Sequence, residues 1–380
     1  MIDVAVAGGG PAGSAAAALL ARDFDVTVLE EHPRVGEPVR CAGLISEEAV
    51  RLSGVSPDLL AEFTGVELVF PDGTAVRARS DSPMACAVDR AQFDSLLADR
   101  ALSAGAEYRF SDRVRSFSAS DGRVSVESSR GSLDARLLVG ADGPSSAVAR
   151  GMGAPEPNRV NGVQAEVSAR YEEQDVFRIR VGSRYAPRFF AWEVPCGDMT
   201  RVGLCVYPDA GSPWGYLQRL LSDLGLEGRV TSKAYGRIPM GPVGPMSSDR
   251  VMLIGDAASQ VKPVSAGGIY PSMASAPILA DVARAALEAD DLSAGRLREY
   301  DRRWSSEVGP EIARGARLRR AYERLDDGDL NVAGRYAARE DVRDSLNRVD
   351  IDAPSGVIRD LLRKPRAGLA GLWTLLRCMV

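Results

Sequence analysis

A glycine-rich turn near the start of the chain has the composition of a phosphate-binding loop. The segment Gly8–Gly13 reads Gly-Gly-Gly-Pro-Ala-Gly and follows the apolar run Val4–Ala7. In such a turn Gly8 permits the tight bend, Gly10 lets the backbone approach a pyrophosphate, and Gly13 lets a helix pack closely on a sheet. The predicted phosphate-binding residues are Gly8, Gly10, Ala12 and Gly13.

An acidic residue stands where such a site needs one. Glu30 ends the second apolar run, Val26–Leu29, and an acid at that point accepts hydrogen bonds from a ribose diol. The order strand, turn, helix, strand and acid therefore predicts a dinucleotide site. It does not say which dinucleotide binds.

Composition excludes several other kinds of site. The net charge of −5 argues against general nucleic-acid binding. Five cysteines without a CxxC spacing, and a single histidine, His32, disfavour zinc, so no metal is predicted. The scattered cysteines favour a reducing compartment. Cys196 and Cys205 could face each other across a hairpin, and the sequence leaves their pairing open.

The elements that position the turn follow from the periodicity of apolar residues. Residues 1–160 and 246–290 carry the buried strands and helices of one discontinuous α/β domain, with a loop insertion at 36–85. Residues 161–245 alternate with a period of two, which predicts an inserted β-rich substrate domain. Residues 291–380 are predicted to be helical. The fold class is thus α/β with an additional antiparallel sheet.

The end of the chain leaves two alternatives open. Within the segment 363–377, ten apolar residues are flanked by Arg363, Lys364, Arg366 and Arg377. Ten residues are too few to span a bilayer. The segment either lies in a membrane interface, with Trp373 as its anchor, or docks as a helix on the protein. Without a signal-peptide pattern, we predict a cytoplasmic protein, free or peripheral at the inner face of the membrane.

Four further segments resemble the flavoprotein family that includes para-hydroxybenzoate hydroxylase. They are Val88–Asp94, Gly140–Ser146, Gly255–Ala258 and the glycine-rich loop Pro263–Ile269. The resemblance implies a Rossmann-like FAD-binding domain, with the Asp256 carboxylate on the ribitol hydroxyls and the glycine-rich loop at the flavin ring. It adds to the predicted cofactor site Arg90, Val114, Asp142, Gly143, Gly255, Asp256, Gly267, Gly268 and Ile269.

Two more segments resemble geranylgeranyl reductases, including the archaeal digeranylgeranylglycerophospholipid reductases. Glu37–Gly43 is similar to their CxxG-type segment, and Pro187–Pro195 followed by Gly203–Cys205 is similar to their PxxYxWxFP and GxG motifs. The chain departs from those motifs in having phenylalanine for tyrosine, valine for phenylalanine and cysteine for glycine. The departing residues are Phe190, Val194 and Cys205.

The second resemblance implies that reduced FAD saturates the double bonds of isoprenoid chains, in archaea those of an ether-lipid precursor. It places Arg40, Cys41, Ala42 and Gly43 beside the flavin, and an apolar wall is expected from Phe189, Phe190, Trp192 and Val194. Candidate proton donors, by proximity to the flavin motifs, are Cys41 and Tyr270. The electron donor is left open between NAD(P)H and ferredoxin.

Two other functions remain compatible with these patterns. A flavin monooxygenase or halogenase shares the FAD motifs, and halogenases use an active-site lysine, for which Lys262 is the one candidate. A non-catalytic FAD-binding protein that docks on membranes is the other alternative. The Cys41–Gly43 segment favours the reductase.

Overall fold

The computed structural model describes residues 1–120, 122–241, 244–348 and 350–356. The strands are β1 (Ile2–Ala7), β2 (Val26–Leu29), β3 (Leu44–Ile45), β4 (Leu59–Phe63), β5 (Gly65–Val69), β6 (Ala75–Arg79), β7 (Ala85–Val88), β8 (Glu107–Arg109), β9 (Val114–Ser120), β10 (Arg123–Ser128), β11 (Gly131–Gly140), β12 (Asn158–Val167), β13 (Val176–Val181), β14 (Phe190–Cys196), β15 (Met199–Val206), β16 (Val230–Met240), β17 (Ser247–Ser248) and β18 (Val251–Leu253). The helices are α1 (Pro11–Leu20), α2 (Glu47–Ser53), α3 (Arg90–Ser103), α4 (Ala147–Gly151), α5 (Pro213–Asp223), α6 (Ile269–Glu288), α7 (Ala294–Glu307), α8 (Gly309–Tyr322), α9 (Asp327–Ala337) and α10 (Glu340–Leu346).

The first sheet forms the nucleotide-binding core. Its strand order is β17-β18-β11-β1-β2-β8, and β1 pairs in parallel with both β2 and β11. The central strands are buried and mostly apolar along their paired residues, as is typical of a parallel sheet. The small side chains of α1, from Ala15 to Ala18, are buried and let α3 and α6 pack close to it. The predicted α/β fold with an additional β-rich sheet is confirmed.

The second sheet has the order β16-β12-β15-β14-β13-β5-β6. Its neighbours are antiparallel except β13 and β5, which run in parallel. The predicted loop insertion 36–85 differs from this structure, since it contains α2 and five strands from β3 to the start of β7. Two of those strands, β5 and β6, extend the second sheet beyond the range 161–245. Long-range pairing of this kind leaves no local pattern in the sequence.

At the β13–β5–β6 end of this sheet, each strand presents one apolar and one polar face. In β13, Phe177 and Ile179 lie on one side while Arg178 lies on the other, 2.9 Å from the Glu67 carboxylate of β5. The Arg77 guanidinium of β6 bonds the same carboxylate at 2.8 Å. This alternation is typical of a sheet whose polar face is solvated and whose apolar face lines an interior.

Helices that follow the second sheet in sequence cover its edge at β6. Asn347, just after α10, accepts a hydrogen bond from the Arg79 backbone N–H at 3.0 Å, and Asn331 of α9 accepts one from the Asp72 N–H at 2.9 Å. These contacts cover the outer edge of β6. Among the described residues, none of the helices is both long and apolar enough to cross a bilayer.

Candidate active site

The glycine turn between β1 and α1 has the geometry predicted for it. Gly8 has a φ of +96°, and a Cβ there would lie 2.5 Å from the Ala141 carbonyl oxygen. A Cβ on Gly13 would lie 2.0 Å from the Gly8 carbonyl oxygen, so this glycine lets α1 approach the sheet. A Cβ on Gly10 would meet nothing within 4 Å, because Gly10 faces an open cavity at the N-terminus of α1. Backbone N–H groups and a helix N-terminus exposed in this way attract a phosphate.

The Glu30 carboxylate lies beside this turn and is buried. It accepts hydrogen bonds from the Gly9 N–H at 2.7 Å and from the His32 N–H at 2.9 Å. The His32 Nδ1 lies 2.7 Å from the same carboxylate oxygen as the His32 N–H. These contacts fix the carboxylate at the edge of the cavity, where a ribose diol would find an acceptor.

Arg90 begins α3 and points into the cavity, held by Asp94 one turn later. The guanidinium Nη2 lies 2.9 Å from both Asp94 carboxylate oxygens, and Nε lies 3.0 Å from one of them. Burial lowers the pKa of Arg90, but the Asp94 charge and the Cys41 thiol outweigh it, so the pKa is raised. The guanidinium therefore stays charged beside Cys41.

Asp256 is half-buried and presents its carboxylate to the same cavity. Burial raises its pKa to about 6, and the nearby Arg90 charge only partly opposes this. None of the described residues donates a hydrogen bond to the Asp256 carboxylate. A carboxylate that lines a cavity without protein donors is free to accept hydrogen bonds from a ligand. Hydroxyl groups of a bound cofactor would donate them.

Asp142 is also half-buried but already has partners. Its carboxylate accepts hydrogen bonds from the Ala147 N–H at 2.6 Å, the Val148 N–H at 3.2 Å and the Ser146 hydroxyl. Burial raises its pKa, and these hydrogen bonds act in the opposite direction. The side chain thus caps the start of α4 and shapes the cavity wall.

One cavity of about 1050 Å³ joins these residues to the second sheet. We call the region around the glycine turn, Glu30, Asp256 and Gly268 its polar end. The predicted cofactor residues that line the cavity are Gly8, Gly10, Ala12, Glu30, Arg40, Cys41, Ala42, Arg90, Val114, Asp142, Gly143, Asp256, Gly267, Gly268 and Ile269. The glycine-rich loop, the first turn of α6 and Cys41 thus line the same cavity.

Three predicted glycines do not line the cavity; they pack closely against neighbouring residues. Gly13 packs on Gly8, as described above. A Cβ on Gly43 would lie 2.5 Å from both an Arg201 guanidinium nitrogen and the Val88 carbonyl oxygen. A Cβ on Gly255, which has a φ of +68°, would lie 2.7 Å from the Ala12 Cβ. Glycine is needed at these three positions because neighbouring atoms leave no room for a side chain.

Two other predicted residues also lie outside the cavity lining. Phe189 is fully buried in the core of the second sheet, and the Arg319 guanidinium stacks 4.1 Å from its ring centroid. Tyr270 does not line the cavity, whereas Ile269 and Ser272 on the same helix do. The helical rotation between positions 269 and 270 explains the difference. The structure therefore does not place Phe189 in the apolar wall or Tyr270 at the reacting groups.

The apolar face of the second sheet forms the rest of the cavity wall. The predicted residues Phe190, Trp192 and Val194 of β14 line it together with Phe177, Ile179 and Val181 of β13 and with β5 and β6. We call the part lined by β5 and β6 the far end; its residues are Val66, Leu68, Val76 and Ala78. A Cβ on Gly203 would lie 2.4 Å from the Trp192 indole, so this glycine makes room for the ring.

Comparison with known proteins agrees with this geometry. Residues 1–182 match the family described as FAD binding domain. Digeranylgeranylglycerophospholipid reductase from Methanothrix thermoacetophila is 31% identical over 385 residues, which cover 95% of this chain and 96% of the relative. The chain belongs to this reductase family. It is an FAD-dependent oxidoreductase, and the prediction of an FAD cofactor is confirmed.

Two solved structures share the fold. A geranylgeranyl bacteriochlorophyll reductase-like protein from Thermoplasma acidophilum has a TM-score of 0.86 at 22% identity, covering 98% of this chain and 99% of that one. Halogenase PltM in complex with phloroglucinol and FAD has a TM-score of 0.69 at 15% identity, covering 100% of this chain and 91% of that one. At these identities the likeness concerns architecture.

Sequence analysis missed Gln164, which connects the two ends of the enzyme's cavity. Its side-chain oxygen accepts a hydrogen bond from the Trp192 indole N–H at 3.0 Å, and its Nε2 lies 3.4 Å from the Cys41 carbonyl oxygen. A buried glutamine facing inward on a strand between apolar neighbours was the available signal. Its partners lie 28 and 123 residues away in sequence.

Arg319 of α8 is a second residue that sequence analysis did not single out. Its guanidinium donates to the carbonyl oxygens of Pro263 at 2.9 Å, Arg188 at 3.0 Å and Val264 at 2.6 Å. It therefore ties the glycine-rich loop to the strand that follows Arg188. Burial lowers the pKa of this guanidinium.

Lys262 lines the cavity but is held by the last described segment of the chain. Its ammonium bonds the Asp352 carboxylate at 2.5 Å and the Ile351 carbonyl oxygen at 3.0 Å. Both cysteines of the open pairing question are free thiols. Cys196 lies opposite Met199 in the β14–β15 hairpin and Cys205 lies opposite Gly162 of β12, so they do not meet.

Proposed function

We propose that the enzyme reduces the carbon–carbon double bonds of geranylgeranyl chains in a lipid substrate. The observation that carries this proposal is the continuity of the cavity from the FAD motifs to the apolar face of the second sheet. Burying each chain methylene contributes about 0.8 kcal/mol, so an apolar wall of this extent both binds the chain and excludes water. The named relative from Methanothrix thermoacetophila supports the same substrate class.

Residues of the polar end would hold FAD as follows. The backbone at Gly10 and Ala12 takes the pyrophosphate, the Glu30 carboxylate takes the adenosine ribose, and the Asp256 carboxylate takes the ribitol hydroxyls. Backbone N–H groups at Gly267 and Gly268, just before α6, and the positive end of that helix dipole would stabilise negative charge on the flavin ring. Each residue lines the cavity, which supports these assignments.

Reduced FAD supplies a hydride to one alkene carbon, and the other carbon takes a proton. Cys41 is the candidate donor that lines the cavity. Its Sγ accepts the Gly43 N–H at 3.4 Å and contacts the Arg90 guanidinium. Tyr322, on the opposite wall, donates its hydroxyl proton to the Phe189 carbonyl oxygen, and burial raises its pKa to about 12. That proton is therefore already engaged.

The halogenase alternative is less well supported. Its chemistry needs a lysine amine free to face the flavin side of the substrate cavity, whereas the Lys262 ammonium is paired with Asp352. Oxygen consumption by the reduced enzyme, without loss of any alkene, would favour a halogenase or monooxygenase instead.

Anaerobic reoxidation of the enzyme tests the proposal. The FAD-loaded enzyme is photoreduced without oxygen and mixed with a digeranylgeranyl glycerophospholipid, and its absorbance is followed while product masses are measured. We expect reoxidation by the lipid and a gain of two hydrogens per reduced bond. An enzyme that stays reduced, with every double bond intact, would overturn the proposal.

The electron donor and the membrane contact also belong to this proposal. NAD(P)H or ferredoxin restores reduced FAD, and steady-state turnover with each donor distinguishes them. The segment 363–377 lies outside the described residues, and its proposed contact with the cytoplasmic membrane surface rests on its sequence. Flotation of the full chain with anionic phosphatidylglycerol vesicles, compared with the variant Trp373→Ala, tests that contact; equal flotation of both would contradict it.

A further inference from the structure

The cavity wall contains a row of side chains in register across the second sheet. Gln164 of β12 lies opposite Gly203 of β15, which lies opposite Trp192 of β14. The row continues through Ile179 of β13 and Leu68 of β5 to its last member, Val76 of β6. The members other than Gly203 line the cavity. The cavity therefore runs across the strands, from the residue that contacts the Cys41 loop to the edge of the sheet.

Strand spacing gives the length of this row. Neighbouring strands lie about 4.8 Å apart, so the five steps from Gln164 to Val76 span about 24 Å. An isoprene unit adds four backbone bonds to a prenyl chain. An extended peptide residue spans about 3.4 Å with three backbone bonds, so four bonds span about 5 Å. Four units then take about 20 Å. One strand spacing thus corresponds to about one isoprene unit.

The far end is closed by buried residues. Val76 is 3% exposed and Ala78 is 5% exposed, and Ala78 lies opposite Val66 in the register. Leu346 of α10 lines the cavity and packs against this cluster. The Arg79 N–H bonded to Asn347 seals the strand edge beyond it. A chain that enters from the polar end therefore stops at β5 and β6.

The position of this stop decides which double bonds meet the cofactor. A bond near the free end of the chain needs little room beyond the flavin, whereas the bond next to the headgroup needs room for about three further isoprene units. We infer that the β5–β6 hairpin sets how many double bonds, counted from the free end, the enzyme reduces. This inference rests on the proposed function and concerns Val66, Leu68, Val76 and Ala78.

Filling the far end tests the inference. Ala78→Phe removes about one isoprene unit of depth. The expected product from a geranylgeranyl lipid keeps the double bond next to the headgroup, while the bonds nearer the free end are saturated. A farnesyl lipid, one unit shorter, should still be reduced completely by the same variant. Ala75→Phe is the matched control, because Ala75 lies on the same strand, is exposed and faces the opposite side.

The outcomes separate this inference from the proposed function. Failure of the wild-type enzyme to reduce any prenyl lipid would contradict the proposed function. Complete reduction of the geranylgeranyl lipid by folded, FAD-loaded Ala78→Phe would overturn the inference while leaving the proposed function intact. If Ala78→Phe does not fold, Val76→Leu carries the test; it should raise the fraction of product with one remaining double bond by twofold or more, and an unchanged fraction would overturn the inference.

Discussion

The polar end and the far end of the cavity are built by opposite means. At the polar end, short-range motifs place glycine backbone and carboxylates, and the half-buried Asp256 carboxylate lacks donors from the described chain. At the far end, strands distant in sequence place aliphatic side chains, with their charged neighbours turned outward, as in the Glu67–Arg77 ion pair. The polar end is thus incomplete without a ligand, whereas the far end is a preformed apolar surface.

Because of this difference, we expect the two ends of the cavity to respond differently to mutation. Changes at the polar end should alter FAD affinity and leave substrate choice alone. Changes at the far end should alter which lipids react and leave FAD affinity alone. Gln164, which contacts both Trp192 and the Cys41 loop, lies at the boundary between them.

The largest effect is expected from the glycines of the first turn. Gly13→Ala places a Cβ 2.0 Å from the Gly8 carbonyl oxygen, and such overpacking should lower the free energy of unfolding by about 3 kcal/mol or more. Gly10→Ala has open space and should change it by less than about 1 kcal/mol. The extra methyl of Gly10→Ala should instead weaken FAD binding about tenfold. Urea unfolding of the apoprotein and FAD titration measure the two quantities, and equal stability losses would contradict the distinction.

Asp256→Asn should weaken FAD binding by about 1.5–3 kcal/mol, the value of charge-assisted hydrogen bonds. The same change should raise the free energy of unfolding of the apoprotein at pH 8. Burial raises the pKa of Asp256 to about 6, so ionisation of this carboxyl destabilises the folded state as the pH rises through that value. Titration with FAD and unfolding at pH 8 test both expectations; an unchanged FAD affinity would place the ribitol elsewhere.

Trp192→Ala should lower kcat/KM for geranylgeranyl lipids about tenfold or more while FAD stays bound, because the half-buried indole lines the cavity. Phe189→Leu is the matched control. Phe189 is fully buried, so this variant should lose stability by about 1 kcal/mol and keep its substrate preference. Loss of FAD or unfolding of Trp192→Ala would show that the indole belongs to the core.

Substitutions of Cys41 distinguish proton donation by its thiol from a purely steric role of its side chain. Cys41→Ala should fold, keep FAD and change the rate or extent of double-bond reduction. Cys41→Ser should keep several-fold more activity than Cys41→Ala if the group donates a proton, and no more if only its volume matters. Single-turnover rates and product masses for both variants decide this, and wild-type values in both would make Cys41 only a wall of the cavity.

The dependence of FAD affinity on pH also tests the role of Asp256. Ribitol hydroxyls donate to an ionised Asp256, so bound FAD favours the charged form and should lower its pKa below about 6. FAD affinity should therefore strengthen as the pH rises to about 6, by up to tenfold per pH unit, and level off above it. Asp256→Asn should show no such rise, and a rise of equal slope in that variant would assign it to another group.

Local chemistry explains which parts of this enzyme were predictable. Gly8, Gly13, Glu30 and Asp256 belong to short segments in which backbone conformation and ligand chemistry constrain neighbouring residues together. The resemblance to the reductase motif likewise pointed to Phe190 and Trp192, which both line the cavity. The pairing of β5 with β13, by contrast, joins segments over 100 residues apart, and nothing local to residues 65–79 indicates it.

Side-chain direction was the other limit. Phe189 and Tyr270 stand next to lining residues in sequence but do not line the cavity, since successive side chains of a strand or helix point in different directions. The Arg90–Asp94 pair lay within a recognised segment, yet the role of Asp94 in holding Arg90 became evident only from its geometry.

Photo-crosslinking with a lipid that carries a diazirine at the free end of its prenyl chain tests the central claim most directly. A saturated digeranylgeranyl-type lipid carrying this label is irradiated with the FAD-loaded enzyme, and the modified peptides are identified. We predict adducts on β5, β6 and β13, at residues such as Leu68, Val76 and Ile179, and their loss in Ala78→Phe. Adducts confined to the exposed Leu59 and Leu60, with none in the cavity wall, would contradict a single cavity that joins the cofactor to the prenyl chain.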